Sequence, residues 1–216
     1  MRVFLIIVAM LMSACSLKTP PNNFQYKSVN AFSSYTSNFL SGDDLVAKND
    51  ISRAIKHAKR GADLNTLARI YLGECSLNIS VAIDDKCSKY INIKNIINDN
   101  SLDAYYNLIT QNLKHKDITY LPKKYKKFAF YVYKNQYNKA FKEIQSMQDI
   151  SSQLVSSALI KESLDEKEIL IIIDIASFYG YKKSVLFWLK TLQNISIDET
   201  TKENIAKKIS ILEANE

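Results

Sequence analysis

Chain breakers are scarce in this sequence: four glycines and three prolines punctuate 216 residues. A barrel or sandwich needs turn chemistry about every 8 to 12 residues, so the shortage argues against both. The glycines, Gly42, Gly61, Gly73 and Gly180, are scattered and form neither a phosphate-cradling loop nor a nucleophile elbow. Histidine is scarcer still. His57 and His115 are the only two, which rules out a zincin motif and leaves a serine triad nothing else to build on. His57 falls in the last turn of an expected helix, where partial positive charge would complement the dipole, so it reads as a capping or surface residue. No cofactor and no metal site is expected.

Long apolar runs are also lacking. The longest, Val3 to Met12 behind Arg2, falls short of the roughly 20 residues a bilayer span needs and reads as a secretory signal. In "MLMSACSLK" the small residues Ser13 and Ala14 precede Cys15, and with Met12 they resemble the lipobox of bacterial lipoproteins, although Met12 stands where leucine is commoner. The resemblance implies that Cys15 is diacylated and becomes the mature N-terminus. Two or three acyl chains, at about 0.8 kcal/mol per buried methylene, hold a soluble domain stably on a membrane. Ser16 follows instead of aspartate, which by the enteric sorting rule implies the outer membrane; the periplasmic face is the expected side, a point on which the rule itself is silent. "SLKTPPNN" then reads as a tether, because Pro20, Pro21 and their polar neighbours resist helix and strand alike. The expected division is a signal peptide over 1–14, an anchor and tether over 15–23, and an α-helical repeat-like domain over 24–216.

Net charge is +7, and removing Arg2 with the signal leaves 28 basic against 22 acidic residues. The excess reads as mild and spread along the chain. It suits a neighbour of anionic lipid or acidic partners, and equally a solvated lysine-rich surface.

What the sequence does contain is helix punctuation. From Asp43 to Gly61, acids at the start, Lys56, Lys59 and Arg60 at the end and Gly61 as the stop agree, with Ala47, Ile51, Ala54, Ile55 and Ala58 as the buried stripe. Asp63 then caps a second helix whose face carries Leu64, Leu67, Ala68, Tyr71, Leu72 and Cys75. Further helices are expected over 26–40, 84–98, 101–114, 122–135, 137–148, 152–162, 166–179, 182–193 and 199–213. "EILIIIDIAS", residues 168–177, reads as a central helix enclosed by neighbours. The fold expected is all-α, with antiparallel helix pairs forming an irregular α-solenoid or a helical bundle.

In "KFAFYVYKNQYNKAFKEI" the order Tyr131, Tyr137, Ala140, Ile144 resembles a tetratricopeptide repeat, with Phe128 and Asn135 departing from its small-residue and glycine positions. Ala176, Gly180, Val185 and Leu189 look more like an ankyrin helix pair. Together they cover about a fifth of the chain, and no constant period appears.

With Cys15 assigned to lipid, Cys75 and Cys87 remain as an even pair in an oxidising compartment, and a disulfide is expected. For both to lie near facing helix ends, the second helix must begin at Asp84 or Asp85, which makes "SLNISVAI" an irregular loop clipped at its base. A redox-catalytic pair would want a close C-x-x-C, and a zinc site two more ligands.

Two fragments bear on chemistry. "SALIKESLD" holds Glu162-Ser163, which resembles the glutamate-serine of lytic transglycosylases, but "EKEILIIIDI" follows where a glycine-led, methionine-glutamine segment should shape the sugar site. Glu162 therefore reads as an ordinary surface acid. "LPKKYKKFAFYVYKNQYNK" mixes lysines with aromatics. On a helix, Tyr125, Phe128, Ala129 and Val132 share one face and Lys123, Lys127 and Lys134 lie opposite; Phe130 and Tyr137 fall off the stripe, as contact residues or as core for a third helix.

The function expected is a non-enzymatic, lipid-anchored module that binds or scaffolds an envelope protein, with Lys123, Lys127, Phe130, Lys134 and Tyr137 as the partner surface. Neither nucleic acid nor a small-molecule substrate is expected. The alternatives are a peptidoglycan-acting enzyme using Glu162 and a basic module for anionic lipid or polymer.

Overall fold

The computed structural model describes residues 23–214; the signal segment, Cys15 and the tether to residue 22 lie outside the described residues. Among the described residues there are twelve α-helices and no strand, so the fold is all-α. They are α1 (Asn23–Ser41), α2 (Asp44–Arg60), α3 (Leu64–Ser80), α4 (Ser88–Ile97), α5 (Asn100–Ile109), α6 (Asp117–Tyr120), α7 (Lys123–Tyr133), α8 (Tyr137–Gln145), α9 (Ile150–Leu159), α10 (Glu166–Phe178), α11 (Lys182–Ile195) and α12 (Glu199–Glu213). A turn of 3-10 helix, Lys161–Ser163, joins α9 to α10.

Aspartates start several of these helices. Asp63 accepts from the Thr66 amide at 2.9 Å, Asp99 from the Ser101 amide at 2.8 Å and Asp198 from the Thr201 amide at 2.7 Å. Each satisfies a donor that helix geometry leaves unpaired. Asp165 and Glu168 form a reciprocal capping box at the head of α10. Helix ends are less conventional. Gly61, the expected stop of α2, keeps a φ of −79°, and the left-handed turn falls on Ala62 at φ 50°. Glycine at 61 serves close packing instead: a Cβ there would lie 3.0 Å from the Phe24 Cβ of α1, which would have to give way by a few tenths of an ångström.

Three boundaries correct the sequence reading. The helix expected from Asp84 or Asp85 begins at Ser88, and the disulfide forms with Cys87 as its N-cap. The helix expected over 101–114 ends at Ile109, because Gln111 turns left-handed and Asp117 gathers the next loop, accepting from the Lys114 amide at 2.9 Å and from Asn107 Nδ2 at 3.0 Å. The short α6 follows, unexpected. Conversely, "SLNISVAI" is not an irregular loop: α3 continues to Ser80, since Leu77 and Ser80 are buried and reward the extra turn.

The stripe of α2 is as expected, whereas Leu64 of α3 is exposed. α3 instead buries Leu67, Ile70, Leu72 and Leu77 on more than one side, because α1, α2, α4, α5 and α9 all pack against it. In an open solenoid each repeat touches its neighbours alone. Here α11 returns to α1, and α9 packs on α3, so the helices close into a bundle. Lys183 of α11 seals the return by pairing with Asp44 of α2 and lying 4.2 Å above the Phe39 ring of α1.

The centre is not where the isoleucines are. α10 buries Ile169, Ile172, Ile173 and Ala176 but exposes Leu170, Ile171 and Phe178, so it is a peripheral helix and not an enclosed one. The enclosed helix is α9, "ISSQLVSSAL", with an unbroken buried run from Ser152 to Ala158. Serines occupy little volume, which lets α3, α8 and α10 approach α9 closely.

Candidate functional site

Two features stand out, a basic face on α7 and a cleft behind it. The basic face begins with the sequence: residues 112–145 contain nine lysines against Asp117 and Glu143, a balance of +7 that equals the net charge of the whole chain. The remaining residues therefore sum to zero. The charge is concentrated, not spread, and the fold sharpens it. All nine lysines are exposed while Asp117 is buried. Of the nine, Lys124 alone is in a salt bridge among the described residues, with Asp149 at 3.0 Å.

α7 buries Tyr125, Phe128 and Ala129, which turns the other side outward. Lys123, Lys127, Phe130 and Lys134 then follow one another at helical spacing along a single exposed stripe. Tyr133 and Tyr120 are exposed beside it, and the His115 ring lies 5.3 Å from that of Tyr133, tilted by 56°. Lys134 lies 5.8 Å from the Tyr133 ring and Lys139 5.7 Å from that of Tyr131. Tyr137 belongs only partly to this face: it is half-buried against the core, and its hydroxyl donates to Asn135 Oδ1 at 3.1 Å.

The cleft lies where α1, α3, α5, α7 and α9 converge, and its volume is about 300 Å³. Phe32, Leu72, Leu102 and Val155 form its apolar wall. Its shape depends on Gly73: a Cβ there would stand 2.3 Å from Phe32 Cζ, so the ring can lie across α3 only because the side chain is missing. Polar groups line one side in a connected series. Ser152 donates to Asp149, so it accepts from Tyr125, whose hydroxyl lies 2.8 Å away; Lys124 closes the series on Asp149. Burial would push the Asp149 carboxyl up, but hydrogen bonds from Ser152 and Lys124, together with the Lys124 charge, hold it below the usual carboxylate range. Burial raises the Tyr125 phenol, and that of Tyr105 beside it, so both stay protonated. Arg69 is an exposed member of the lining and, among the described residues, is in no salt bridge.

The cysteines are structural in this arrangement. Cys75 and Cys87 are joined by a disulfide with Cα atoms 5.3 Å apart. Cys87 caps α4 in a left-handed conformation, φ 52°, and its amide donates to Asp85 Oδ1 at 2.7 Å. The Asp85 carboxylate lies within 4.8 Å of both sulfurs, yet the disulfide leaves neither as the thiolate a metal would require.

Glu162 sits in the 3-10 turn with its side chain 85% exposed, paired with Lys161. A glycosidase acid needs burial to raise its pKa, and this position supplies none. His57 also corrects its expectation. Partial burial and the charges of Lys27, Arg60, Arg53 and Lys56 lower its pKa, which weakens its part in complementing the dipole of α2. Arg69 and the cleft were missed because nothing in the sequence brings residues 32, 69, 102, 124 and 152 together. No protein-family model matches this chain, and no curated protein or solved structure matches it.

Proposed function

We propose that this protein is a non-enzymatic interaction module, held at the outer membrane through lipid on Cys15, that binds an acidic envelope protein on the stripe Lys123, Lys127, Phe130 and Lys134. The observation that carries the reading is the charge segregation: the whole net charge of the chain lies in residues 112–145, on exposed lysines with exposed aromatics among them. Lysines steer and orient an acidic partner, and Phe130 with Tyr133 supplies apolar contact between them. The anchor rests on the lipobox resemblance alone, and the tetratricopeptide-like order of Tyr131, Tyr137, Ala140 and Ile144 in α7 and α8 agrees with a protein-binding role.

The test is a photo-crosslinking residue at Phe130, with a control at Lys207 on α12, in cells carrying the full chain. The expected result is a discrete protein adduct at 130 only, lost when Lys123, Lys127 and Lys134 are reversed to glutamate and weakened by raised salt. Crosslinks that survive charge reversal, or adducts to lipid alone, would refute the proposed partner. Cys15→Ala is expected to release the protein from membranes; retention there would remove the anchor from the proposal.

A further inference from the structure

The geometry points to the cleft between α1, α3, α5, α7 and α9 as a binding site for a small amphiphilic anion, a short apolar chain or ring bearing one carboxylate. This goes beyond the protein-binding role and does not depend on it. The cavity is concave, about 300 Å³ in volume, apolar on one wall and hydroxylated on the other. That volume is at the low end of ligand pockets, which favours a short ligand over a long acyl chain. The wall of Phe32, Leu72, Leu102 and Val155 would take the apolar part.

The sign of the ligand follows from the charges at the mouth. Asp149 is already matched by Lys124 at 3.0 Å and by the Ser152 hydroxyl, and so has no need of a cation. Among the described residues Arg69 is in no salt bridge, so the lining, with Arg69 and Lys124 against Asp149, carries one positive charge in excess. Its guanidinium is a planar fork of donors suited to a carboxylate. Arg69 lies one turn from Gly73 on α3, and this places the charge beside the apolar slot that Gly73 and Phe32 create together. The polar side is held in one arrangement by the series Tyr125, Ser152, Asp149 and Lys124, so the site is formed before any ligand arrives.

Calorimetric titration with octanoate tests this, with octylammonium as the charge-reversed control. Octanoate is expected to bind the full chain and octylammonium not. Arg69→Ala is expected to weaken octanoate about tenfold or more, the effect of one charged hydrogen bond, while Arg69→Lys retains part of the affinity. Ser101→Trp, at the rim on α5, is expected to fill the cavity and abolish binding. Trp188, the chain's only natural tryptophan and fully buried on α11, reports whether each arginine variant is folded. Absent octanoate binding, equal binding of octylammonium, or affinity unchanged by Arg69→Ala would each overturn the inference; if Ser101→Trp fails to fold, the arginine pair still decides it.

Discussion

Helices α9 and α10 are neighbours whose burial runs against their hydrophobicity. α10 carries "ILIII" and exposes Leu170 and Ile171, while α9 carries four serines and is enclosed. Enclosure is decided by what a helix can let near it. Each serine on α9 presents little bulk, and Ser152 and Ser156 find partners in Asp149 and in Met147 Sδ. Among the described residues Ser157 Oγ and Gln153 Oε1 have no hydrogen-bond partner, so on α9 close approach outweighs two unmatched polar atoms. α10, with bulky β-branched side chains on every side, packs with one face and leaves the other to solvent.

This contrast can be broken by substitution, using denaturant titrations of Trp188 fluorescence. The largest effect is expected within α10 itself. Ile169→Ala, at a fully buried position, should cost about 4 kcal/mol, and Ile171→Ala, on the exposed side, less than about 1 kcal/mol. Equal losses would mean that α10 is enclosed after all.

Next comes the clip on the far side of α9. Cys75 and Cys87 pack in one cluster with Val155, and the disulfide closes a loop with a sequence separation of 12. Replacing both cysteines by alanine should cost about 3 kcal/mol, chiefly by freeing the unfolded chain. A loss indistinguishable from zero would show that the loop is held by Asp85 and Asn78 alone, which hydrogen-bond at 2.7 Å.

Overpacking sharpens the comparison. Ser156→Leu puts bulk where α9 has no room and should cost about 2 kcal/mol, although it raises hydrophobicity. Leu170→Ser lowers hydrophobicity on α10 and should change stability by no more than about 0.5 kcal/mol. The opposite order would mean that hydrophobicity, not volume, places these helices.

The smallest effect is a pH dependence at the head of α9. The folded pKa of Asp149 lies below its unfolded value, so the folded state holds this proton more weakly than the unfolded chain does. The stabilisation is complete above about pH 4 and is lost as pH falls through the lower folded value. Asp149→Asn should flatten the stability profile just below pH 4, whereas a slope unchanged by that substitution would assign it to other carboxylates.

Much of the helix plan was legible. The Asp63 cap is a local signal, and the helices expected from 101, 166 and 199 begin within a residue of the pattern. The stripe Lys123, Lys127, Phe130 and Lys134 was readable for the same reason, since side chains on one helix face are related by spacing alone. The extent of α3 was not: its last turn forms because Leu77 and Ser80 meet the core, which no local pattern records. The cleft was invisible because it is a juxtaposition of five helices, and its key residue Arg69 looks in sequence like any charge on a solvated face.

By itself, the sequence determined that this chain is helical, where most helices start and which face of α7 turns outward, because caps, periodicity and charge act over one or two turns. The tertiary structure decided that the serines and not the isoleucines lie at the centre, that α11 returns to α1, and that a cleft opens beside Arg69. Those outcomes depend on volume and contact between residues far apart in the chain, and packing is settled only when all the helices are in place.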